Sequence, residues 1–132
     1  MLAQYARAYK SVAVTTATPG HLVLMLFDGA LRFISSALHG FEQEDFSLRI
    51  ELVNTNSIKT QKILRELQCS LDLKAGGDFA QRMFALYDFM IDQLLKANIS
   101  KNPAPMRVVQ DLLGQIRDAW SQMLEQSASQ AA

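Results

Sequence analysis

The sequence predicts an all-α fold, an antiparallel four-helix bundle with a short N-terminal helical arm. Apolar residues recur every three or four positions in four long stretches, which is the spacing of amphipathic helices. Short segments with proline, glycine or a capping side chain separate these stretches, and helices joined by such links pack antiparallel. No two stretches alternate in the manner of paired strands. The expected organisation is a displaceable arm over residues 1–17, a bundle over residues 18–126 and a disordered tail over residues 127–132.

The composition limits the classes of function. Lysine plus arginine and aspartate plus glutamate each number 13, so the formal net charge of the chain is zero. Without a basic run, the chain lacks the charge pattern of a nucleic-acid binder or of a polybasic membrane anchor. The single cysteine, Cys69, cannot form an internal disulfide and suits a reducing compartment.

The same residues give no sign of secretion or membrane insertion. The N-terminus lacks the apolar core of a signal peptide. The longest strong apolar run, Leu22–Phe27, is far shorter than the roughly 20 residues that cross a bilayer. We therefore expect a soluble, cytoplasmic protein.

The N-terminal arm has an apolar face but little length. Leu2, Tyr5, Tyr9 and Val12 are spaced by three, four and three residues, so they line up on one side of a helix. Helices shorter than about 12–15 residues are marginal in water, so the arm can be helical only when it docks. Residues 12–18 are rich in β-branched side chains and favour an extended connector. The arm is either displaceable, or it packs permanently or frays.

The first long helix, predicted from Thr18 to Leu38, organises the rest of the chain. Thr18 is a suitable N-cap, and Pro19 is favoured at the first helical position. Gly40 suits a left-handed stop after the helix. Apolar side chains cover roughly 180° of this helix, whereas a stripe of about 100° is enough to pack on a core. The helix is either buried by its own chain, or it keeps part of its surface for a partner.

A second helix is predicted to begin near Asp45. Its seam has four- and three-residue spacing, which is typical of antiparallel bundles. The seam positions are Phe46, Ile50, Val53, Ser57, Thr60, Leu64, Leu67 and Leu71. The hydroxyl residues Ser57 and Thr60, beside Asn56, either permit close helix approach or form a shallow polar notch for a partner backbone.

The third helix is predicted to follow a link that ends at Gly77. Asp78 and Gln81 form a capping box, and the helix runs to about Asn98. Its core face consists of Phe79, Met83, Leu86, Tyr87, Met90, Ile91, Leu94 and Ala97. Phe89 points roughly 100° away from the centre of that face. It is either a lone exposed side chain or a partner contact.

The fourth helix is predicted to start at Asn102 and Pro103, a second combination of cap and proline. Its core positions are Val109, Leu113, Ile116, Trp120 and Met123. After Glu125 the chain becomes small and polar, which indicates disorder.

Catalytic and metal-binding interpretations fail on spacing. His21 and His39 lie about 27 Å apart along one helix, so they cannot share a metal ion. Their positions near the helix ends also suit a phosphotransfer bundle poorly. Asp88 and Asp92 lie one turn apart on a solvent-facing side, which favours solvated charges over an acid–base pair. We therefore expect no catalytic residues, metal or cofactor.

An apolar binding surface remains as the functional feature. A bundle with more apolar helix area than its own packing consumes, together with a removable arm, fits a helper for an amphipathic or disordered client. The arm would compete with the client and lower its apparent affinity, because only the open fraction binds.

Several motifs resemble the flagellar secretion chaperone family FliS. The longest similarities span Ala8–Lys10, Val14–Phe33 and Asn56–Leu67. Shorter matches follow in the same order at Ser70–Asp72, Gly76–Gly77, Leu86–Met90, Leu95–Asn98 and Asp118–Trp120. Each motif alone is weak, but together they are specific and cover essentially residues 5–124.

The resemblance implies a non-enzymatic chaperone without cofactor. It implies binding of the disordered C-terminal region of flagellin, prevention of premature polymerisation, and presentation of flagellin to the export gate protein FlhA. An arm that covers part of the client groove until flagellin replaces it is also implied. The alternative is a structural helical module that homodimerises by exchanging its N-terminal arm.

The candidate partner-binding residues fall into two groups. Tyr5, Tyr9 and Val12 form the displaceable arm, where Tyr9 matches the family and Tyr5 rests on helical spacing. The residues beneath the arm or in contact with the client are Leu22, Leu26, Asn56, Lys59, Ile63 and Phe89.

Two positions depart from the family pattern. His21 stands where a capping-box glutamate or glutamine is frequent, which weakens the start of the first helix by about 0.5–1 kcal/mol. The segment Asn102–Pro105 replaces a more usual acidic, proline-free opening of the fourth helix. It should stiffen that corner, and it makes a partner contact there doubtful.

Overall fold

The computed structural model describes the backbone of residues 19–131 and the side chains of residues 20–128. Its four helices are α1 (Pro19–Phe41), α2 (Phe46–Cys69), α3 (Leu73–Ser100) and α4 (Ala104–Ala131). Helix α1 packs against α2 and α4, and α3 packs against the same two helices, so the four form a ring around one core. This confirms the predicted all-α, antiparallel four-helix bundle. The predicted arm, residues 1–17, lies outside the described residues.

The core is built from the predicted apolar faces. Its fully buried large side chains include Phe27, Ile34, Leu64, Leu67, Tyr87, Met90, Leu94, Met106 and Leu113. The seam of α2 is buried from Val53 to Leu67, and Leu71, just after the helix, is buried as well, but the first predicted member, Phe46, is 65% exposed. Phe46 is the first residue of α2, at the end of the bundle, and the guanidinium of Arg49 lies 5.5 Å from its ring centre. The prediction was wrong for Phe46 because a seam position at a helix terminus has no facing helix to cover it.

Helix α1 does not stop at Gly40, as its sequence suggested, but continues to Phe41. A Cβ atom at position 40 would lie 2.8 Å from Cβ of Leu52 and 3.1 Å from the backbone nitrogen of Val53. Gly40 is therefore required for close packing of α1 on α2. Among the described residues, positive φ angles occur instead at Gly77 and Lys101.

Helix α1 is also longer and more apolar than its strongest run indicated. The span Gly20–Phe41, 22 residues with a mean hydropathy of 1.4, could cross a membrane by length and composition alone. In this structure its central stripe is the bundle core, where Phe27 and Ile34 are fully buried. A core helix of a bundle meets the same criteria of length and composition.

Ser57 and Thr60 are fully buried in the seam of α2. The hydroxyl of Thr60 donates a hydrogen bond of 2.8 Å to the carbonyl oxygen of Asn56. The hydroxyl of Ser57 accepts one of 3.2 Å from the side-chain amide of Gln61. Both hydroxyls are satisfied within their own helix, which favours close helix approach over a notch open to a partner.

Local caps define the starts of α2 and α4 as predicted. A side-chain oxygen of Asp45 accepts a 2.9 Å hydrogen bond from the backbone N–H of Leu48. A side-chain oxygen of Asn102 accepts one of 3.0 Å from the backbone N–H of Ala104. Helix α4 continues to Ala131, through the polar residues for which the sequence indicated a disordered tail.

Helix α3 starts earlier than the sequence indicated. Asp72 is its N-cap and accepts a hydrogen bond of 2.9 Å from the backbone N–H of Ala75. The expected link is therefore a helical turn, and the chain bends at Gly77, where φ is 56° and ψ is −140°. Such a conformation is open to glycine and strained for other residues.

Candidate functional site

Three contacts fix how α1 and α2 lie side by side. A Cβ atom at Gly29 would lie 3.5 Å from Cδ1 of Ile63. The Lys59 ammonium lies 5.3 Å from the centre of the Phe33 ring, and Gly40 meets Leu52 near the far end of both helices. Residue numbers therefore rise along α1 as they fall along α2. The outer face between these helices is called the α1–α2 groove.

The half of the α1–α2 groove near the start of α1 is apolar. Leu22, Leu26, Gly29 and Phe33 are spaced by four, three and four residues, which places them in one stripe facing α2. The side chains of Leu22, Leu26 and Phe33 are half-buried, as is Ile63 across the groove. Half-burial means that each side chain packs on the bundle and still offers apolar surface to a partner.

The other half of the α1–α2 groove is polar. It encloses about 590 Å³ and is lined by Ser35, Ser36, His39, Glu51, Leu52, Thr55, Asn56 and Lys59. The amide of Asn56 donates a 2.8 Å hydrogen bond to the carbonyl oxygen of Leu52, so its side-chain oxygen remains to accept one. This half offers hydroxyl, amide and charged groups within reach of a bound main chain.

A salt bridge joins α1 to α4 on the other side of α1. The Arg117 Nε–H donates to Oδ1 of Asp28 at 2.8 Å. This hydrogen bond raises the pKa of Arg117 above its ordinary value. The bridge is about one-third exposed on both sides. Its net contribution to stability is therefore on the order of 1 kcal/mol or less.

Asp88 and Asp92 take part in separate ion pairs and do not form an acid–base dyad. Asp88 accepts hydrogen bonds from Gln68 at 2.8 Å and Arg65 at 3.0 Å, both on α2. The hydrogen bond from Gln68, aided by Arg65, holds the pKa of Asp88 below its ordinary value. Asp92 pairs with Lys96 of its own helix at 3.1 Å. Within residues 19–131, no group of three or more histidine, cysteine or acidic residues is placed to hold a metal ion.

Comparison of this chain with known proteins identifies its family. The family model described as "Flagellar protein FliS" matches residues 1–127. The chain belongs to the FliS family.

Individual relatives carry the same description. The flagellar secretion chaperone FliS of Bacillus subtilis (strain 168) is 37% identical over 118 residues, which cover 89% of this chain and 84% of the relative. The flagellar secretion chaperone FliS of Salmonella typhimurium is 34% identical over 127 residues, which cover 96% of this chain and 91% of the relative. A third, from Vibrio cholerae, is 30% identical over 121 residues, or 89% and 86% of the two chains. The family is one of flagellar secretion chaperones, which are not enzymes.

The structure brings five of the candidate residues of this FliS chain together. Leu22 and Leu26 on α1 and Ile63 on α2 belong to the apolar half of the α1–α2 groove. Asn56 and Lys59 line its polar half. Their shared face is a property of the fold, and their role in binding remains a prediction.

Phe89 is not part of the α1–α2 groove. It lies on α3 and is 44% exposed. Its neighbour Asp88 faces α2. A step of about 100° along the helix turns Phe89 away from α2. A partner that touches both Phe89 and Ile63 would have to reach around the bundle.

The predicted arm residues Tyr5, Tyr9 and Val12 lie outside the described residues. The indole N–H of Trp120 donates a 2.8 Å hydrogen bond to the carbonyl oxygen of Gly20, in the first turn of α1. The described part of the chain therefore begins within one helical turn of Leu22, at the apolar end of the groove.

Sequence reasoning did not single out Gly29, Phe33, Ser36 or Thr55 as parts of a FliS site. The sequence placed Phe33 in the broad apolar arc of α1, but it did not indicate which residue of another helix Phe33 contacts. A mid-helix glycine such as Gly29 is an available signal, because glycine lowers helix stability and needs a reason. Nothing in the sequence distinguishes Ser36 and Thr55 as site residues, since exposed serines and threonines are common on any helix.

Proposed function

We propose that this FliS chain binds the disordered C-terminal region of flagellin in the α1–α2 groove. Binding there keeps the bound segment from premature polymerisation in the cytoplasm, and the complex is presented to the export gate protein FlhA. The observation that carries the proposal is the half-exposed apolar stripe of Leu22, Leu26 and Ile63 running into a polar groove of about 590 Å³. Membership of a family of flagellar secretion chaperones supports the same client.

The two halves of the groove suit two parts of a flexible client. Apolar side chains on one face of a client helix can pack against Leu22, Leu26 and Ile63. An extended stretch has main-chain N–H and C=O groups that need partners. Asn56, Thr55 and their neighbours supply such partners in the polar half.

The arm acts as a competitor for the apolar half of the groove. Eighteen residues of the sequence precede Pro19, enough to reach Leu26, which lies only about two helical turns from the start of α1. Tyr5, Tyr9 and Val12 are the side chains that would cover Leu22 and Leu26. A client that binds the same stripe has to displace them, so the arm lowers the apparent affinity.

The proposal is tested by titrating the full chain with a peptide of the flagellin C-terminal region, followed by calorimetry. We expect saturable binding, and we expect Ile63→Asp to weaken it at least about tenfold, a larger loss than its effect on stability. Ile58→Asp is the matched control, since Ile58 is a 40% exposed residue of the same helix. It lies about 140° around α2 from Ile63.

Three results would contradict the proposal. The wild-type chain could fail to bind the peptide, Ile63→Asp and Ile58→Asp could weaken binding equally, or Ile63→Asp could lose stability and affinity together, which would place Ile63 in the core. Light scattering across concentration tests the homodimer alternative. A stable dimer that depends on the arm and ignores flagellin would favour that alternative.

A further inference from the structure

The guanidinium of Arg32 lies over the middle of the α1–α2 groove. A Cβ atom at Gly29 would lie 3.6 Å from Nη2 of Arg32 and 3.5 Å from Cδ1 of Ile63. Side chains of a helix lean toward its N-terminus, so Arg32 reaches back one turn to Gly29, where no side chain blocks it. The guanidinium and the side chain of Ile63 therefore share the space above Gly29, between the two walls of the groove.

A second cation, the ammonium of Lys59, lies on the opposite wall of the same stretch of groove. It is 5.3 Å from the centre of the half-buried Phe33 ring, a cation–π contact that holds it over the groove. Lys59 stands four residues before Ile63 on α2, and Phe33 stands four residues after Gly29 on α1. The two cations are therefore within about one helical turn of each other along the groove.

The charges of these two side chains are not neutralised by the bundle. Among the residues whose side chains the structure describes, neither Arg32 nor Lys59 is paired with a carboxylate. Asp28, the one acid of α1, is already paired with an arginine of α4. The two acids of α2, Glu51 and Glu66, lie about two turns from Lys59 in either direction. Both cations are exposed and open to a partner.

Two unpaired cations beside an apolar floor suit a carboxylate that reaches them from a bound chain. An arginine can bind a carboxylate through two parallel N–H···O bonds, and the lysine adds a donor from the other wall. A bound helix also removes water from the groove, which strengthens the attraction between opposite charges. A neutral main-chain carbonyl would gain roughly half as much from the same donors. The pair therefore favours an acidic group over a neutral one.

We propose that Arg32 and Lys59 determine which clients bind, by selecting an aspartate or glutamate on the client helix that fills the apolar half of the groove. The inference rests on the proposed function and adds a chemical requirement for the client. The acid lies level with Phe33, within one helical turn of the apolar side chain that packs on Ile63. A client segment with the same apolar side chains and no acid at that place binds more weakly.

The test begins with charge removal in the full chain, titrated by calorimetry with the flagellin C-terminal peptide. Arg32→Gln and Lys59→Gln each change an exposed side chain, so the melting temperature should stay nearly the same. Each should lower the affinity about three- to tenfold. Lys59→Arg keeps the cation and should retain most of the affinity. Arg107→Gln, at an exposed site on α4 outside the groove, should bind as the wild type does.

A double-mutant cycle then identifies the acid on the peptide. Each aspartate or glutamate of the peptide is replaced in turn by asparagine or glutamine. One such peptide should lose affinity for the wild type, yet bind the double variant Arg32→Gln, Lys59→Gln as well as the unchanged peptide does. Raising the salt concentration from about 0.05 M to about 0.5 M should also weaken binding by the wild type more than by the double variant. A purely structural role of the two cations would produce neither effect.

The outcomes separate this inference from the proposed function. If the wild type fails to bind the peptide, both are wrong. If the wild type binds and Ile63→Asp does not, but Arg32→Gln and Lys59→Gln bind as Arg107→Gln does, only the charge requirement is wrong. The charge requirement is also wrong if the substitutions on chain and peptide act independently, or if removal of either cation tightens binding.

Discussion

Gly29 and Ile63 face each other across the α1–α2 groove at a distance that leaves room for one methyl group. A Cβ atom at Gly29 would lie 3.5 Å from Cδ1 of Ile63, an ordinary van der Waals contact. At Gly40 the same atom would lie 2.8 Å from Cβ of Leu52. Two glycines of one helix therefore serve different purposes. Gly40 allows α1 and α2 to pack closely, whereas Gly29, which has no side chain, leaves the α1–α2 groove deeper at that point.

The first prediction compares alanine at these two positions. Gly29→Ala should stabilise the bundle by about 0.5–1 kcal/mol, because alanine is the better helix former and its methyl group fits. Gly40→Ala should destabilise it by about 1–3 kcal/mol, because the helices must move apart. Urea denaturation of both variants measures the difference. Equal changes in the free energy of unfolding would contradict the distinct roles.

The second prediction concerns the first turn of α1 and its contact with α4. Trp120 is 3% exposed, donates to the carbonyl oxygen of Gly20, and packs edge-on against Phe27 with ring centres 6.5 Å apart. Trp120→Phe removes the hydrogen bond and part of the buried volume. It should cost about 1–3 kcal/mol.

Urea denaturation checks this cost, and amide hydrogen exchange shows where it falls. We expect faster exchange in the first turn of α1 than in α3. Uniform acceleration across the chain would mean that Trp120 supports the whole core and not the first turn of α1 in particular.

The sequence was sufficient for features that depend on neighbours along the chain. The caps Asp45 and Asn102 act on backbone groups two or three residues away, so their residue types are informative on their own. The apolar period likewise identified Val53, Tyr87 and Leu113 as core residues, because one face of each helix must be buried in any bundle of this kind.

Features that depend on another helix could not be read from the sequence. Gly40 looks like a helix stop until Leu52 is placed against it. Phe46 continues the seam of α2, but its exposure follows from where the bundle ends. The bend at Gly77 replaced an expected link, since Asp72 competes with Asp78 as the cap and the sequence does not rank them.

The candidate site also combines features that the sequence predicts with features that depend on another helix. Leu22 and Ile63 could be proposed from an apolar surplus and from motifs, yet they lie about 40 residues apart in the chain. Their common groove depends on the register that Gly29 and Phe33 establish with α2. Phe89 was also proposed from its position on a helical wheel, yet it lies outside the α1–α2 groove. A wheel drawn for one helix does not show which neighbouring helix a given side chain faces.

The third prediction uses the pKa of Asp88. The hydrogen bond from Gln68, aided by Arg65, lowers this pKa from its ordinary value in the folded chain. A carboxylate with a lowered folded-state pKa stabilises the fold above its unfolded value, and this contribution is lost as the pH falls through the folded value. Melting temperatures between pH 7 and pH 2 should therefore drop less steeply below about pH 4 in Asp88→Asn than in the wild type.

Asp92→Asn is the control for this pH series. Asp92 pairs with Lys96 of its own helix, in an exposed i, i+4 pair that contributes little. Its acid profile should follow the wild type. If Asp88→Asn also follows the wild type, the link from α2 to Asp88 does not contribute to acid stability.

The fourth prediction concerns the arm and tests whether residues 1–17 are separate from the bundle predicted over residues 18–126. Deletion of residues 1–13 should leave the helical circular dichroism of the bundle intact, because residues of all four helices pack on one another in a shared core. The deletion should also raise the apparent affinity for the flagellin peptide, or increase self-association, since the stripe of Leu22 and Leu26 loses its competitor. Calorimetry and light scattering measure the two effects.

The double variant Tyr5→Ser, Tyr9→Ser is the control that keeps the full chain length. It should behave like the deletion, because it removes the predicted apolar contacts of the arm and leaves the rest of the arm in place. A truncated chain that loses its helical signal would instead show that the arm is part of the core, and the apolar half of the groove would then be an interior surface.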